Sequence, residues 1–376
     1  MNYQLTETQE LIQHTFRNFV DKEVKPQAER LDLEKEFPTE IFKKVANLGF
    51  YGMRYPDEAG GTGADILSYC IAVAELARGS ASVAAACSMQ SLMATYFLYR
   101  FGDAEIRENY FAKALTGEKI GTICMTEPDA GSDLMNVKTS AKVVEDGFIL
   151  SGQKIWITSA PVANFMTVLS RTDNYEKLSI FFVPTHLDGV IIGRNIDKLG
   201  VRASVTSEVS FDNVKLPRNY LLGKIGEANK YLIEILAEIR VMTAAIAFGI
   251  ATAAYQDALE YAKSRIQFGK PIGKFQLVQE KFADMAVKLE TSKQMIYHAA
   301  RLCDLGLPRM KEAAIVKLYV SECANSICDE ASRVMASYGY AMEYPMQRYL
   351  RDARFTLIGG GTNEILKVNI AKELGL

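Results

Sequence analysis

The hydrophobic period of this chain changes twice, from helical to two and back to helical, which restricts the fold to helical units on either side of a sheet. Up to about residue 120, apolar residues recur at helical spacing with short breaks. Residues 5–29 form one amphipathic segment and residues 38–48 another, the second opening with Pro-Thr-Glu as a helix start. The glycine-rich run 57–63 is a loop, and small-residue helix follows through 72–77 and 81–99. From about 121 to 220 the period becomes two. Phe148-Ile149-Leu150 follows an Asp146-Gly147 turn, 165–170 and 178–184 are β-rich, and Val209-Ser210-Phe211 reads as a strand ending at Asp212-Asn213. Short strands at this spacing predict a compact barrel or sandwich. Beyond about 226 long helical patterns return, broken only at Pro271, Pro308 and Pro345. Four helices of bundle length are expected, near 226–264, 274–305, 309–338 and 362–374. The reading is an α+β multidomain chain: an N-terminal helical domain (1–120), a middle β domain (121–225) and a C-terminal helical bundle (226–376).

With 376 residues, 49% of them hydrophobic, the chain can bury one large core or two to three smaller ones. A net charge of -2 gives no basic surface for nucleic acid or an anionic membrane. No apolar run approaches the roughly 20 residues of a bilayer span. The opening residues lack the basic and apolar regions of a signal peptide, so a cytoplasmic location is expected. The six cysteines form no CxxC, and with three histidines no dedicated metal site is expected; the thiols read as buried small hydrophobes.

Four motifs carry the chemistry. Met125-Thr126-Glu127-Pro128-Asp129-Ala130-Gly131-Ser132-Asp133 offers hydroxyls, a proline-fixed turn and a glycine, a loop able to hydrogen-bond a planar heterocycle or simply to turn. Lys154-Ile155-Trp156-Ile157-Thr158-Ser159 holds the only tryptophan, which in a strand usually belongs to the core. Arg265-Ile266-Gln267-Phe268-Gly269-Lys270-Pro271 with Phe275-Gln276 ends a helix in a break that presents Arg265, a side chain suited to a diphosphate or to a helix C-terminus. Arg351-Asp352-Ala353-Arg354 precedes Ile358-Gly359-Gly360-Gly361-Thr362-Asn363-Glu364-Ile365, where glycines leave bare N–H groups before a helix start, an anion site or a flexible link.

In this order and spacing the motifs resemble the FAD-dependent acyl-CoA dehydrogenase family, over essentially the whole chain. The resemblance implies that Met125, Thr126, Gly131, Ser132, Trp156, Ile157 and Thr158 hold the isoalloxazine ring. It implies that Arg265, Phe268 and Gln276 reach the FAD of a neighbouring subunit, and that Gly361, Thr362 and Glu364 also contact the flavin. A homo-oligomer follows, a dimer of dimers. The implied reaction is α,β-dehydrogenation of an acyl thioester, with the Gly360 N–H donating to the thioester carbonyl and Ser132 and Arg240 at the substrate. An electron-transfer flavoprotein is the implied acceptor.

The sequence departs from the family where the base belongs. The family glutamate stands at one of two positions, which here are Gly360 and Ile239. Glu238, one residue from the second, is the replacement candidate if the helix is locally bulged; Glu234 and Tyr338 are weaker ones, and Glu343 reads as structural. Ala237 stands where CoA-using members carry an aspartate. The family's Gln-x-x-Gly-Gly-x-Gly becomes Arg333-Val334-Met335-Ala336-Ser337-Tyr338-Gly339, in which Arg333 is left to pair with a phosphate. These changes raise a carrier-protein-bound acyl or aminoacyl thioester as an alternative to CoA. A flavin-dependent thioester reductase or cyclase, and a non-catalytic flavin-binding regulator, are the competing functions.

Overall fold

The computed structural model of the chain describes residues 4–172, 175–307 and 310–376; the expected break at Pro308 lies outside them. The first helix, Glu7–Phe19, starts at a reciprocal cap. Thr6 Oγ1 accepts from the Gln9 N–H and Gln9 Oε1 accepts from the Thr6 N–H. Gln9 also donates at 2.8 Å to Asp65, which caps Ile66–Gly79, so two helix starts are tied together. The amphipathic segment 5–29 is not one helix. It loosens into a π turn at Val20–Val24 and a 3-10 turn at Lys25–Gln27, because Pro26 has no N–H to give the helical ladder. Helices Ala28–Glu34, Thr39–Asn47, Ile66–Gly79 and Ala81–Ser88 follow, the last running into a π turn at Met89–Ala94.

Eight strands form one sheet: β1 Gly121–Cys124, β2 Ser140–Val144, β3 Gly147–Thr158, β4 Phe165–Thr172, β5 Tyr175–Pro184, β6 Val190–Asn195, β7 Thr206–Pro217 and β8 Leu221–Leu222. The hydrogen-bonded order is β6-β7-β3-β2-β4-β5-β8, with β1 added parallel to the start of β4. Alternation along β4 and β5 explains their near-continuous apolar character. Met166, Val168, Phe181 and Val183 face a core of the β domain's own, whereas Phe165, Leu169, Ile180 and Phe182 join the large core shared with the helices.

The C-terminal part packs Ala228–Ser264, Gln276–Asp304 and Met310–Met335, with Met346–Phe355 and Asn363–Glu373 closing it. Among the described residues a further helix of bundle length is added to the four expected, because the Arg351-Asp352-Ala353-Arg354 motif lies within a helix of its own, and Ser337–Tyr340 forms a single short turn of helix. Ala228–Ser264 is 37 residues long and crosses Ile66–Gly79 so closely that a Cβ at Gly249 would lie 2.2 Å from the Ala74 carbonyl oxygen. Only glycine permits that approach. Contrary to the sequence reading, two helices, Ala81–Phe101 and Ala228–Ser264, are long and apolar enough to cross a bilayer. Both lie mostly inside the protein, 83% and 78% of the apolar window being buried, as core helices do.

Asp352 joins the three parts of the chain. Its carboxylate accepts the Val201 N–H at 2.6 Å, and the neighbouring Arg351 donates to Asp32 of the N-terminal helices and to the Leu199 carbonyl. Burial, opposed by the Val201 N–H, pushes the Asp352 carboxyl up to about 6. A carboxyl raised on folding favours the fold when protonated. Its contribution is therefore complete below the ordinary aspartate range and is lost as pH rises through about 6. In urea melts, Asp352→Asn is expected to flatten the fall in stability between pH ~4 and ~6 relative to the parent.

Candidate active site

A bulge aims the tryptophan. The register between β3 and β7 shifts between Lys154 and Ile157, and Trp156 adopts φ +63. The indole is 56% exposed while Ile157 beside it is buried, so Trp156 is not the core residue its strand context suggests. The loop after β1 is fastened to the same place. The Ile155 N–H donates to the Thr126 carbonyl at 2.9 Å, and Lys154 Nζ donates to the Met125 carbonyl at 3.0 Å. The structure thus brings Met125 and Thr126 beside Trp156, with Gly131 and Ser132 exposed on the same loop and Thr158 closing the strand.

Beneath this surface lies a buried ion pair, Lys154 Nζ to Glu127 Oε1 at 2.8 Å. Burial lowers the Lys154 ammonium. Burial alone would raise the Glu127 carboxyl, but the Lys138 N–H, Lys154 and the Thr139 N–H outweigh it and hold the group below its usual range. The sequence marked both residues as parts of motifs without assigning them this task. The exposed indole, the hydroxyls of Thr126 and Ser132, and the space at Gly131, where a Cβ would meet nothing nearer than the Thr126 methyl at 3.9 Å, fit a flavin ring.

The glycine loop is held from below. Lys317 Nζ donates to the Gly361 carbonyl at 2.7 Å and to Asn363 Oδ1 at 2.9 Å, and Thr362 caps the last helix through the Ile365 N–H. Lys317 is fully buried; burial and then Arg240 lower its ammonium to about 8. A lone lysine among Ala313, Ala314, Val316 and Val320 was the available signal, and sequence reasoning passed over it. Glu364 points to solvent.

Gly360 has φ +72, and a Cβ there would stand 2.7 Å from Thr243 Oγ1. That hydroxyl is itself fixed by donating to the Ile239 carbonyl at 2.8 Å. Thr243 therefore occupies the start of the path that a side chain at 360 would take.

Glu238 is not brought to this place. The helix is regular through 228–264, with no bulge, and at ~100° per residue Glu238 lies ~140° round from Thr243. It pairs instead with Arg54, a buried arginine of the N-terminal region that the sequence reading did not single out. Glu234, one turn earlier on the same face, accepts from the Tyr96 hydroxyl at 2.5 Å. Tyr338 is half-exposed beneath Arg265, and Glu343 is exposed. Arg240 is buried on the Thr243 side of the helix, ~60° from it.

The Arg265 break is a two-residue hairpin, β9 Ile266–Gln267 and β10 Lys270–Pro271. Its central residues, Phe268 and Gly269, both have positive φ (+50 and +77). Such a turn favours Asn-Gly, so a phenylalanine in this conformation is an outlier. Phe268 is 93% exposed at the tip, with Arg265 and Gln276 exposed at the base. Arg333 is exposed and paired with Asp329 at 2.8 Å. Ala336 has φ +52, a conformation that favours the glycine the family motif carries there.

The buried pair gives a direct test. Glu127→Ala leaves Lys154 charged without its carboxylate and is expected to cost about 3–5 kcal/mol in urea denaturation. Since folding lowers the Glu127 carboxyl, its contribution is present above the ordinary glutamate value of 4.5 and lost as pH falls below it. The variant should therefore differ most from the parent near neutrality and converge with it in acid.

Comparison with known proteins agrees with this geometry. Three family models match in succession: the acyl-CoA dehydrogenase N-terminal domain over residues 6–118, middle domain over 122–214 and C-terminal domain over 229–375. The chain is 52% identical over 375 residues to the benzylmalonyl-CoA dehydrogenase of Aromatoleum aromaticum, covering 100% of both. It superposes on butyryl-CoA dehydrogenase from Megasphaera elsdenii with a TM-score of 0.96 and 34% identity, covering 100% of each chain. The structure of PigA with FAD and proline gives the same TM-score at 29% identity, again over 100% of each chain. The cofactor of this fold is FAD, and the chain belongs to the acyl-CoA dehydrogenase family.

Proposed function

We propose that the protein oxidises a 2-carboxyacyl thioester of CoA, a substituted malonyl-CoA, to an α,β-unsaturated acyl-CoA with loss of CO2. FAD-dependent dehydrogenation of an acyl thioester is the activity of the family; the malonyl substrate and the decarboxylation are our reading. The observation that carries it is the absence of a carboxylate at both places where one would face the α carbon. Gly360 has Thr243 against it, position 239 is isoleucine, and Glu238 is turned to Arg54. An α C–H is a weak acid, and a base contributes on the order of 100- to 10,000-fold. A carboxylate on that carbon removes the need for one. When the bond to the carboxyl carbon breaks, its electron pair stays on the α carbon and becomes the new double bond, with CO2 leaving neutral. The 52% identical relative named for benzylmalonyl-CoA supports the substrate class and favours CoA over a carrier protein.

The chain's residues then serve to bind and orient. The Gly360 N–H, in a loop fixed by Lys317, donates to the thioester carbonyl, where charge develops. Met125, Thr126, Gly131, Ser132, Trp156, Ile157 and Thr158 hold the ring system, and FAD when bound takes up the hydride equivalent from the β carbon. The exposed hairpin with Arg265 and Phe268, together with Gln276, reaches the cofactor of a second copy, making a dimer or a dimer of dimers the working unit. The strained, 93% exposed Phe268 supports this, since beyond an edge-on contact with Phe275 it turns a large apolar surface to solvent.

The FAD-loaded protein mixed with benzylmalonyl-CoA should bleach its flavin and release one CO2 per flavin reduced. 3-Phenylpropionyl-CoA, which differs only by the carboxylate, should bleach it at least ~100-fold more slowly. Comparable rates for the two esters would refute the proposal.

A further inference from the structure

Arg240 is a buried cation with no carboxylate to neutralise it among the described residues. It is only 6% exposed, its Nε has no hydrogen-bond partner, and no carboxylate among the described residues pairs with it. Burial lowers its pKa. Arg78, equally buried, shows the usual solution: it donates to Glu75 at 2.7 Å and to Asp21 at 2.8 Å. A desolvated, unpaired guanidinium is costly, and it marks a place where an anion is brought from outside.

The position of Arg240 identifies the anion. Thr243, one turn along on the same side of the helix, touches the space beside Gly360. Lys317, which holds the Gly361 carbonyl, lies near enough for Arg240 to lower its ammonium. Arg240 thus lies on the Thr243 side of the long helix, near the Lys317 that holds the glycine loop, and the residues that would supply a protein carboxylate to the proposed reaction are glycine and isoleucine.

We propose that Arg240 receives the 2-carboxylate of the substrate through its planar fork and sets the angle at which the bond to CO2 breaks. The assignment rests on the decarboxylating function proposed above. A guanidinium fits a carboxylate with two parallel N–H donors, which fixes rotation about the bond to the α carbon. With that bond perpendicular to the thioester plane, the released electron pair passes into the carbonyl and the forming double bond. The attraction fades as the carboxylate becomes neutral CO2, so Arg240 acts more on binding and orientation than on the breaking bond. Its loss should raise KM more than it lowers kcat.

Malonyl-CoA and acetyl-CoA separate this role from turnover. Neither has a β carbon that carries hydrogen, so neither can reduce the flavin, and they differ only by the carboxylate. Titrated into the FAD-loaded protein and followed by flavin absorbance, malonyl-CoA should bind at least ~30-fold more tightly than acetyl-CoA. Arg240→Gln should abolish that preference while leaving acetyl-CoA affinity within ~3-fold and FAD content unchanged, and Arg240→Lys should keep part of it. If Arg240→Gln does not accumulate, a partial loss of the malonyl preference in Arg240→Lys, with acetyl-CoA affinity within ~3-fold of the parent, carries the same result. Retention of the full preference in both variants, or an equal loss for both esters, overturns the assignment. Should the parent turn over benzylmalonyl-CoA while the Arg240 variants keep the preference, only the role of Arg240 falls. Should the parent oxidise 3-phenylpropionyl-CoA and not benzylmalonyl-CoA, the proposed function falls instead.

Discussion

The close crossing of helix Ala228–Ser264 over Ile66–Gly79, possible only because Gly249 has no side chain, fixes how the long helix is seated, and the rest of the structure depends on it. It makes the long helix a partition. One face carries Glu234 and Glu238 toward Tyr96 and Arg54 of the N-terminal region, and there the charges are spent on holding the domains together. The other carries Arg240 and Thr243 toward the glycine loop. A helix 37 residues long and buried for most of its length has little freedom to rotate, so each residue's role follows from its angle on the axis.

Buried charge is used in two ways in this molecule. Lys154 with Glu127, and Arg78 with Glu75 and Asp21, are satisfied pairs that fix backbone: the first clamps the Met125–Asp133 loop against the Trp156 bulge. Lys317 holds carbonyl oxygens of the glycine loop, and Arg240, close enough to act on it, has no carboxylate partner among the described residues. The first kind builds a rigid wall for the ring system. The second leaves a positive field beside the glycine loop, which suits the negatively charged substrate proposed above.

Much of the architecture was legible from residue order. The change of period from helical to two and back is visible because each element buries one stripe or one face, and the motif spacing located the loop at 125–133, the strand at 154–158 and the glycine run before Thr362. Other features were not. Trp156 in a β-branched strand has the composition of a core residue; a bulge that depends on the register of β7 turns it outward. Phe268-Gly269 reads as a helix break, whereas pairing of Ile266–Gln267 with Lys270–Pro271 makes it a strained hairpin.

From the sequence alone came the family resemblance, the cofactor class and the absence of a glutamate at positions 239 and 360, since these depend on which residues stand where along the chain. Only the tertiary structure decided what that absence means. Glu238 is one residue from the vacant position in sequence but ~140° from Thr243 on the helix, and Arg54, 184 residues earlier, claims it. Thr243 stands against Gly360 and Arg240 is left without a partner for the same reason: whether a charge is neutralised depends on what packs across from it, and that is settled by contacts between distant segments, which local sequence does not encode.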